Sequence, residues 1–164
     1  MPIKDALLAE LKHESVNTRK LLEAVPEDRY SWKPHEKSMT IGRLASHIAE
    51  IPQWVNRTLE ASEFDFATMP LVRNTYENKA ALIKVFEEKL ALAEGALQAA
   101  TDEALDARYT LRRGDQVFTQ TPRKILIRNF TLNHIVHHRG QLSVFLRLLD
   151  VPVPGMYGPS ADGI

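Results

Sequence analysis

The chain has 164 residues, 21 Lys plus Arg against 21 Asp plus Glu, and no cysteine. That length fits one domain with a sizeable core, and a formal net charge of zero gives no global pull toward nucleic acid or acidic membranes. The missing thiols exclude disulfides, thiolate metal sites and an internal cysteine nucleophile, so any metal must use nitrogen and oxygen ligands. No apolar run approaches the roughly 20 residues of a membrane span. Met1-Pro2-Ile3-Lys4-Asp5 lacks the apolar stretch of a secretory signal, so the expected setting is the cytoplasm.

The first predicted helix runs from about Ile3 to Val25, with Ile3, Leu7, Leu11, Leu22 and Val25 at helical spacing and Pro26 as its stop. Tyr30 and Trp32, in the connector that follows, are expected to cover one end of the core. A second helix is expected from about Thr40 to Glu60, capped by Ser38 or Thr40. Pro52 lies inside it, lacks an N–H, and should kink the helix one turn past His47. Phe64 to Arg73 reads as a loop. Asn74 and Glu77 have capping-box spacing, and a third helix then runs to about Ala100 with a stripe of Leu82, Phe86, Leu90, Ala93 and Leu97.

Arg108 to Gln120 reads as a short hairpin or an extended excursion, with Gly114-Asp115 as its turn signal. The Arg113-Gly114-Asp115 tripeptide also matches an adhesion motif, but a plain turn is the preferred reading. The fourth helix is expected from about Pro122 to Leu149, with Thr121 as cap and Pro122 in its first position. The Pro- and Gly-rich tail from Val151 to Ser160 carries apolar residues and should lie against the helices. Four amphipathic helices make an all-α four-helix bundle the expected fold, one domain over residues 1–164.

Six histidines distribute unevenly over these helices. On the fourth, Ile127, Phe130, His134, His138, Gln141, Phe145 and Leu148 follow the three-four spacing of an inward seam. Residues four apart differ by about 40° around the axis and about 6 Å along it, so His134 and His138 can aim at one point. Leu44, His47, Ile51 and Trp54 have the same spacing on the second helix. Leaving one polar atom of a buried imidazole unpaired costs about 1–3 kcal/mol. A divalent cation unites three such rings, and three protein ligands leave a coordination position open.

The remaining polar residues near this seam have blander readings. His137 points about 100° away from His138 and reads as a neighbour of the site or a helix-boundary residue. His13 and His35 read as surface residues. Glu50, one turn from His47, is a weak catalytic candidate that could orient a ligand or act as a base, with a solvated helix face preferred. Gln141 is a second weak candidate, bonding a metal-bound water or filling a polar layer of the core. Arg139 reads as the partner of a carboxylate within the bundle more than of an anionic substrate.

The segment His134-Ile135-Val136-His137-His138-Arg139-Gly140-Gln141-Leu142-Ser143-Val144-Phe145-Leu146-Arg147 resembles the signature of the DinB/YfiT-like proteins. So do Ser46 to Trp54, Trp32-Lys33-Pro34, and the tail with Val151-Pro152-Val153-Pro154 and Tyr157-Gly158-Pro159-Ser160. The resemblance spans nearly the whole chain. It implies an up-down-down-up bundle, often dimeric, with a three-histidine site for nickel, zinc or a similar ion at His47, His134 and His138. It also implies a hydrolase or a transferase that uses a low-molecular-weight thiol such as bacillithiol or mycothiol, acting on a small-molecule substrate. The alternative is a non-catalytic, stress-related protein that binds metal or a small ligand. No glutamate adjoins His134 as in an HExxH protease, and no nucleic-acid reading motif is present.

Overall fold

Helix α1 (Ile3–Ala24) takes nearly its predicted span in the computed structural model, which describes residues 2–163, and it buries Leu7, Leu11, Leu21 and Leu22. Val25 is already extended ahead of Pro26. Tyr30 and Trp32 then fold back over the core, the Trp32 ring edge-on to Phe145 at 5.7 Å. This return brings the chain against α2 (Ile41–Glu50) at Gly42, whose N–H donates to the Tyr30 carbonyl at 3.1 Å. A Cβ at Gly42 would sit 2.9 Å from both the Tyr30 Cβ and its carbonyl oxygen. Neither atom can swing away, so Gly42→Ala should destabilise the fold by about 1–3 kcal/mol, read as a lower urea midpoint at unchanged m-value.

Thr40, not Ser38, caps α2, its Oγ1 accepting the Arg43 N–H at 3.2 Å. The single kinked helix expected over Thr40–Glu60 is divided at Ile51-Pro52, and α3 runs from Gln53 to Glu60. The proline cannot donate to the helix ladder, which breaks there.

The predicted loop at Phe64 to Arg73 begins inside a strand. β1 (Glu63–Asp65) pairs in parallel with β2 (Arg108–Arg113), Phe64 opposite Leu111. Three residues carry too little periodicity to show, and their partner lies more than forty positions away. β2 and β3 (Gln116–Pro122) form the expected hairpin. Gly114 turns it with φ +56°, and its N–H donates to Asp65 at 2.9 Å, so Arg113-Gly114-Asp115 is a turn. These two backbone donors, Gly114 and Ala67, also hold the Asp65 carboxyl below its ordinary range.

Helix α4 (Lys79–Ala99) is capped by Asn78, whose Oδ1 accepts from the Ala81 N–H at 2.8 Å. The predicted Asn74–Glu77 box does not form: the helix is capped four residues later, at Asn78, and the Asn74 amide donates to a buried carboxylate on α2. A short α5 (Asp102–Asp106), capped by Thr101, was not anticipated.

The last long rod has three parts. After α6 (Arg123–Ile127) comes a wide π-helical segment over Arg128–Asn133, and then α7 (His134–Leu148). Thr121 does not cap this rod. It pairs with Tyr109 in the sheet, and Pro122 stands just ahead of the first helical residue.

α4 packs on α1, α2 and α3, and α7 packs on α1 and α2. The all-α expectation therefore holds only in part: the fold is mostly helical, with a three-stranded sheet ordered β1-β2-β3 at one corner. Trp54, Phe64, Tyr109, Leu111 and Leu126 join that sheet to the helices. Val151, Val153 and Met156 of the tail lie on the main core, as expected.

The inward face of α7 also differs from the predicted seam. Ile135, His138, Arg139, Leu142 and Leu146 are buried, whereas Gln141 and Leu148 are exposed. A charged residue broke the apparent pattern: Arg139 is only 1% exposed because Glu14 of α1 meets it there. The structural pairing expected for Arg139 is thus the one observed. No helix among the described residues is long and apolar enough to cross a membrane.

Candidate metal centre

His47 occupies the last turn of α2, and His134 and His138 occupy the first two turns of α7. Packing of α7 on α2 brings the three rings together, with centroids 4.6–5.0 Å apart. His134 Nε2 lies 2.8 Å from His138 Nε2 and 3.3 Å from His47 Nε2. One ring nitrogen from each residue lies within 4.8 Å of the others. Nitrogens bound at about 2.0–2.1 Å to a tetrahedral cation stand roughly 3.4 Å apart, and less in an octahedral one, so this spacing suits ligation.

Electrostatics favour the neutral, coordinating form of all three. Burial, followed by the other two imidazoles, pushes His47 down to about 3. Burial and His138 push His134 down to about 4. His138 is lowered as well, first by burial, with Gln141 opposing.

Further observations bear on the fit of a cation. The Gln141 Oε1 lies 2.7 Å from His138 Nδ1. With the proton assigned to Nδ1, the Nε2 lone pair is left facing the cluster. The His134 Nδ1 is buried without a hydrogen-bond partner. Three neutral imidazoles with no carboxylate among them suit zinc, nickel, copper or iron better than magnesium or calcium. His47, His134 and His138 can therefore hold a divalent ion. Gln141 neither fills a polar core layer nor points into the cluster; it is exposed and backs His138. Gln141→Leu should weaken zinc binding by roughly 10–100-fold, measured by competition with a chromophoric chelator, and Gln141→Glu should restore most of it.

Glu50 departs from its expected place on a solvated face. It is 6% exposed, and its Oε1 accepts from Asn74 Nδ2 at 2.6 Å and from the Tyr76 hydroxyl at 3.0 Å. Arg43 lies 3.8 Å from its other oxygen. These partners make burial of the charge tolerable. Burial, with the Glu50 bond next, pushes Tyr76 up to about 12, so it stays a donor. Glu50 makes no hydrogen bond to the three imidazoles. His137 is exposed and outside the cluster, its ring 4.8 Å from that of His138. His13 and His35 are exposed, as expected.

Beside His47 opens a cleft of about 430 Å³, walled by Arg43, Glu50, Trp54, Arg57 and Arg73 among others. Its arginines were missed from sequence. The signal was available, since Arg43, His47, Glu50, Trp54 and Arg57 are spaced four, three, four and three along α2 and α3.

The profile of the DinB family matches residues 1–163. The chain belongs to the DinB family. Among curated relatives, this DinB-family protein is 31% identical over 140 residues to uncharacterized protein YjoA of Bacillus subtilis strain 168, covering 84% of each chain. It is 25% identical over 165 residues to uncharacterized protein YrdA of the same organism, covering 96% of this chain and 90% of the relative. A crystal structure of a DinB-like protein from Bacillus cereus ATCC 10987 superposes with a TM-score of 0.72 at 25% identity, over 93% of this chain and 97% of that one. The crystal structure of Bacillus subtilis YjoA shares the fold, with a TM-score of 0.68 at 21% identity over 90% and 96% of the two chains.

Proposed function

We propose that this DinB-family protein is a metal-dependent enzyme, a hydrolase or a thiol-dependent S-transferase, acting on a small molecule. His47, His134 and His138 hold one divalent ion, nickel or zinc, in this reading. The observation that carries it is the convergence of three neutral Nε2 atoms next to a cleft large enough for a small molecule. When bound, such an ion supplies Lewis-acid polarisation and lowers the pKa of a coordinated water or thiol.

The chain's own residues do the rest. Gln141 fixes the orientation of His138. Ile51 and Trp54, in the cleft wall, give it an apolar side that sheds water. Because Glu50 is engaged by Asn74, Tyr76 and Arg43, no free carboxylate among the described residues lining the cleft stands ready as a general base. Thiol transfer needs no such base once the thiol is ionised, so it is the favoured branch. The assembly in this reading is a homodimer, on the strength of the family resemblance.

The same engaged Glu50 is what favours a second reading, a non-catalytic protein that binds metal or a small ligand. Elemental analysis of protein purified without a metal-affinity column tests the ion. A panel of thiol conjugations and ester and amide hydrolyses then separates the readings. Activity that persists at full rate after His134→Leu would remove the metal from the mechanism.

A further inference from the structure

The cleft beside the histidines carries a charge that the rest of the chain does not. The protein is neutral overall, yet this one cleft is lined by Arg43, Arg57 and Arg73 against a single carboxylate, Glu50. That carboxylate is already committed, with Asn74 and Tyr76 on one oxygen and Arg43 facing the other. Arg43 also spends a donor on the Asn74 carbonyl at 2.9 Å. Arg57 and Arg73 are left with no carboxylate partner among the described residues.

Arg57 is not a solvated surface cation. Its guanidinium lies over Trp54, 5.1 Å from the ring centroid, and 5.4 Å from that of Phe64. Its Nη1 is buried and has no hydrogen-bond partner. A cation with an idle donor in an apolar setting is costly unless an anion completes it. Clefts lined by one sign of charge also concentrate ions of the other sign, and planar guanidinium groups match carboxylate and phosphate oxygens.

The placement relates this charge to the histidines. His47, on α2, and Trp54 and Arg57, on α3, all face the cleft. Helical side chains lean toward the N-terminus, and the stacking of Arg57 over Trp54 shows that lean. The guanidinium is thereby brought back toward His47, and both side chains line the one cleft. Arg73 lines the same cleft as His47.

We infer that Arg57 and Arg73 form a seat for the oxyanion group, carboxylate or phosphate, of a small molecule whose other end lies at the three imidazoles. The seat itself stands on the cleft alone; the placement of the far end rests on the metal reading proposed above.

The experiment has two arms so that the two parts can fail separately. In the first, metal-free protein is titrated calorimetrically with succinate and with inorganic phosphate at fixed ionic strength. One of them is expected to bind, and the tighter one assigns the anion class. Arg57→Ala and Arg73→Ala should each weaken that binding at least about tenfold, Arg57→Lys less, and Arg113→Ala, an exposed hairpin residue, not at all. Arg73 is on an exposed loop, so its variant keeps the test sound where Arg57→Ala fails to fold. Binding of neither anion, or equal binding by wild type and Arg73→Ala, overturns the seat.

In the second arm, cobalt-loaded protein is titrated with mercaptosuccinate and with 2-mercaptoethanol, following the sulfur-to-cobalt absorption band. Mercaptosuccinate should bind at least about tenfold more tightly, and Arg73→Ala should abolish the difference. Equal affinities in the wild type would separate the seat from the histidines. Failure of cobalt to bind would overturn the metal reading and leave the first arm standing.

Discussion

Replacing His134 with leucine is expected to weaken divalent-metal affinity on the order of a thousandfold, more than loss of an outer partner such as Gln141, while leaving the metal-free protein no less stable. The two halves of that result have one cause. His134 makes the two shortest approaches in the cluster, to His138 at 2.8 Å and to His47 at 3.3 Å, so its loss leaves a pair of rings without the geometry of three. In the absence of a cation the same ring is a burden: it is desolvated, and its Nδ1 is buried without a hydrogen-bond partner. An apolar side chain of similar size removes that cost. Thermal scans with and without zinc would show it. The zinc-induced rise in Tm should vanish in the variant while the zinc-free Tm holds. A zinc-free Tm that falls by several degrees would mean that the imidazole is a structural partner.

The same desolvation gives the metal-free protein an acid sensitivity of definite sign. His47 and His134 take up protons only near 3 and 4 in the folded chain, against 6.5 for an ordinary imidazole. Between those values the unfolded chain binds more protons, so stability falls as the pH drops below about 6.5 and keeps falling toward 3–4. Above that window these rings contribute no pH dependence. Urea midpoints at pH 7.5, 5.5 and 4.5 should fall in that order, and the pH 4.5 deficit should shrink in His134→Leu. An unchanged deficit would assign the acid sensitivity to other groups.

The largest expected loss of stability lies at Arg139, the residue after His138. Glu14→Ala should cost about 3–5 kcal/mol, because it strands a buried arginine. Arg139 Nη1 donates to the Glu14 carbonyl at 2.9 Å, and Nη2 pairs with the Glu14 carboxylate and with the Tyr157 oxygen. The Tyr157 hydroxyl in turn donates to Glu14 at 2.6 Å. One carboxylate thus ties α1, α7 and the C-terminal tail together. Removing it leaves the guanidinium with the Glu14 carbonyl, a 3.4 Å contact to Thr18 and the Tyr157 oxygen, while Nε already lacks a partner. The pair Glu14→Leu with Arg139→Met should recover most of the loss, since well-packed apolar groups replace buried ion pairs with little penalty. Chemical denaturation of the two variants tests this, and a Glu14→Ala cost below about 1 kcal/mol would show that water reaches the arginine.

Such non-local pairings mark where the sequence stops being readable. The spacing of His134 and His138 and the position of His47 on α2 are local properties of regular helices, and the three rings do meet. Pro52 and Gly114 likewise announce themselves, because a missing N–H and a positive φ are properties of single residues. Which carboxylate Arg139 would meet, and that Glu50 would be buried, could not be read that way. Each is a charge that belongs inside only because distant residues accept it: Glu14 and Tyr157 for the first, Asn74 and Tyr76 for the second. β1 escaped notice for the same reason, since its three residues become a strand only beside β2. The expected start of α4 falls four residues early because Asn74 and Asn78 are both cap-type residues and only the second caps the helix.

The wide segment at Arg128–Asn133 sets a condition on how this chain can vary in length. It lies between two stretches of rod with different duties: Leu126 and Ile127 address the sheet corner and the lower core, and His134 and His138 address α2. A π turn accommodates an extra residue relative to an α turn. Excising one residue there would let the backbone close to ordinary pitch and swing one half about 100° against the other. Either the corner or the imidazoles would then face the wrong way, so this stretch acts as a phase adjuster whose residue count, more than its side chains, is what the fold has to keep.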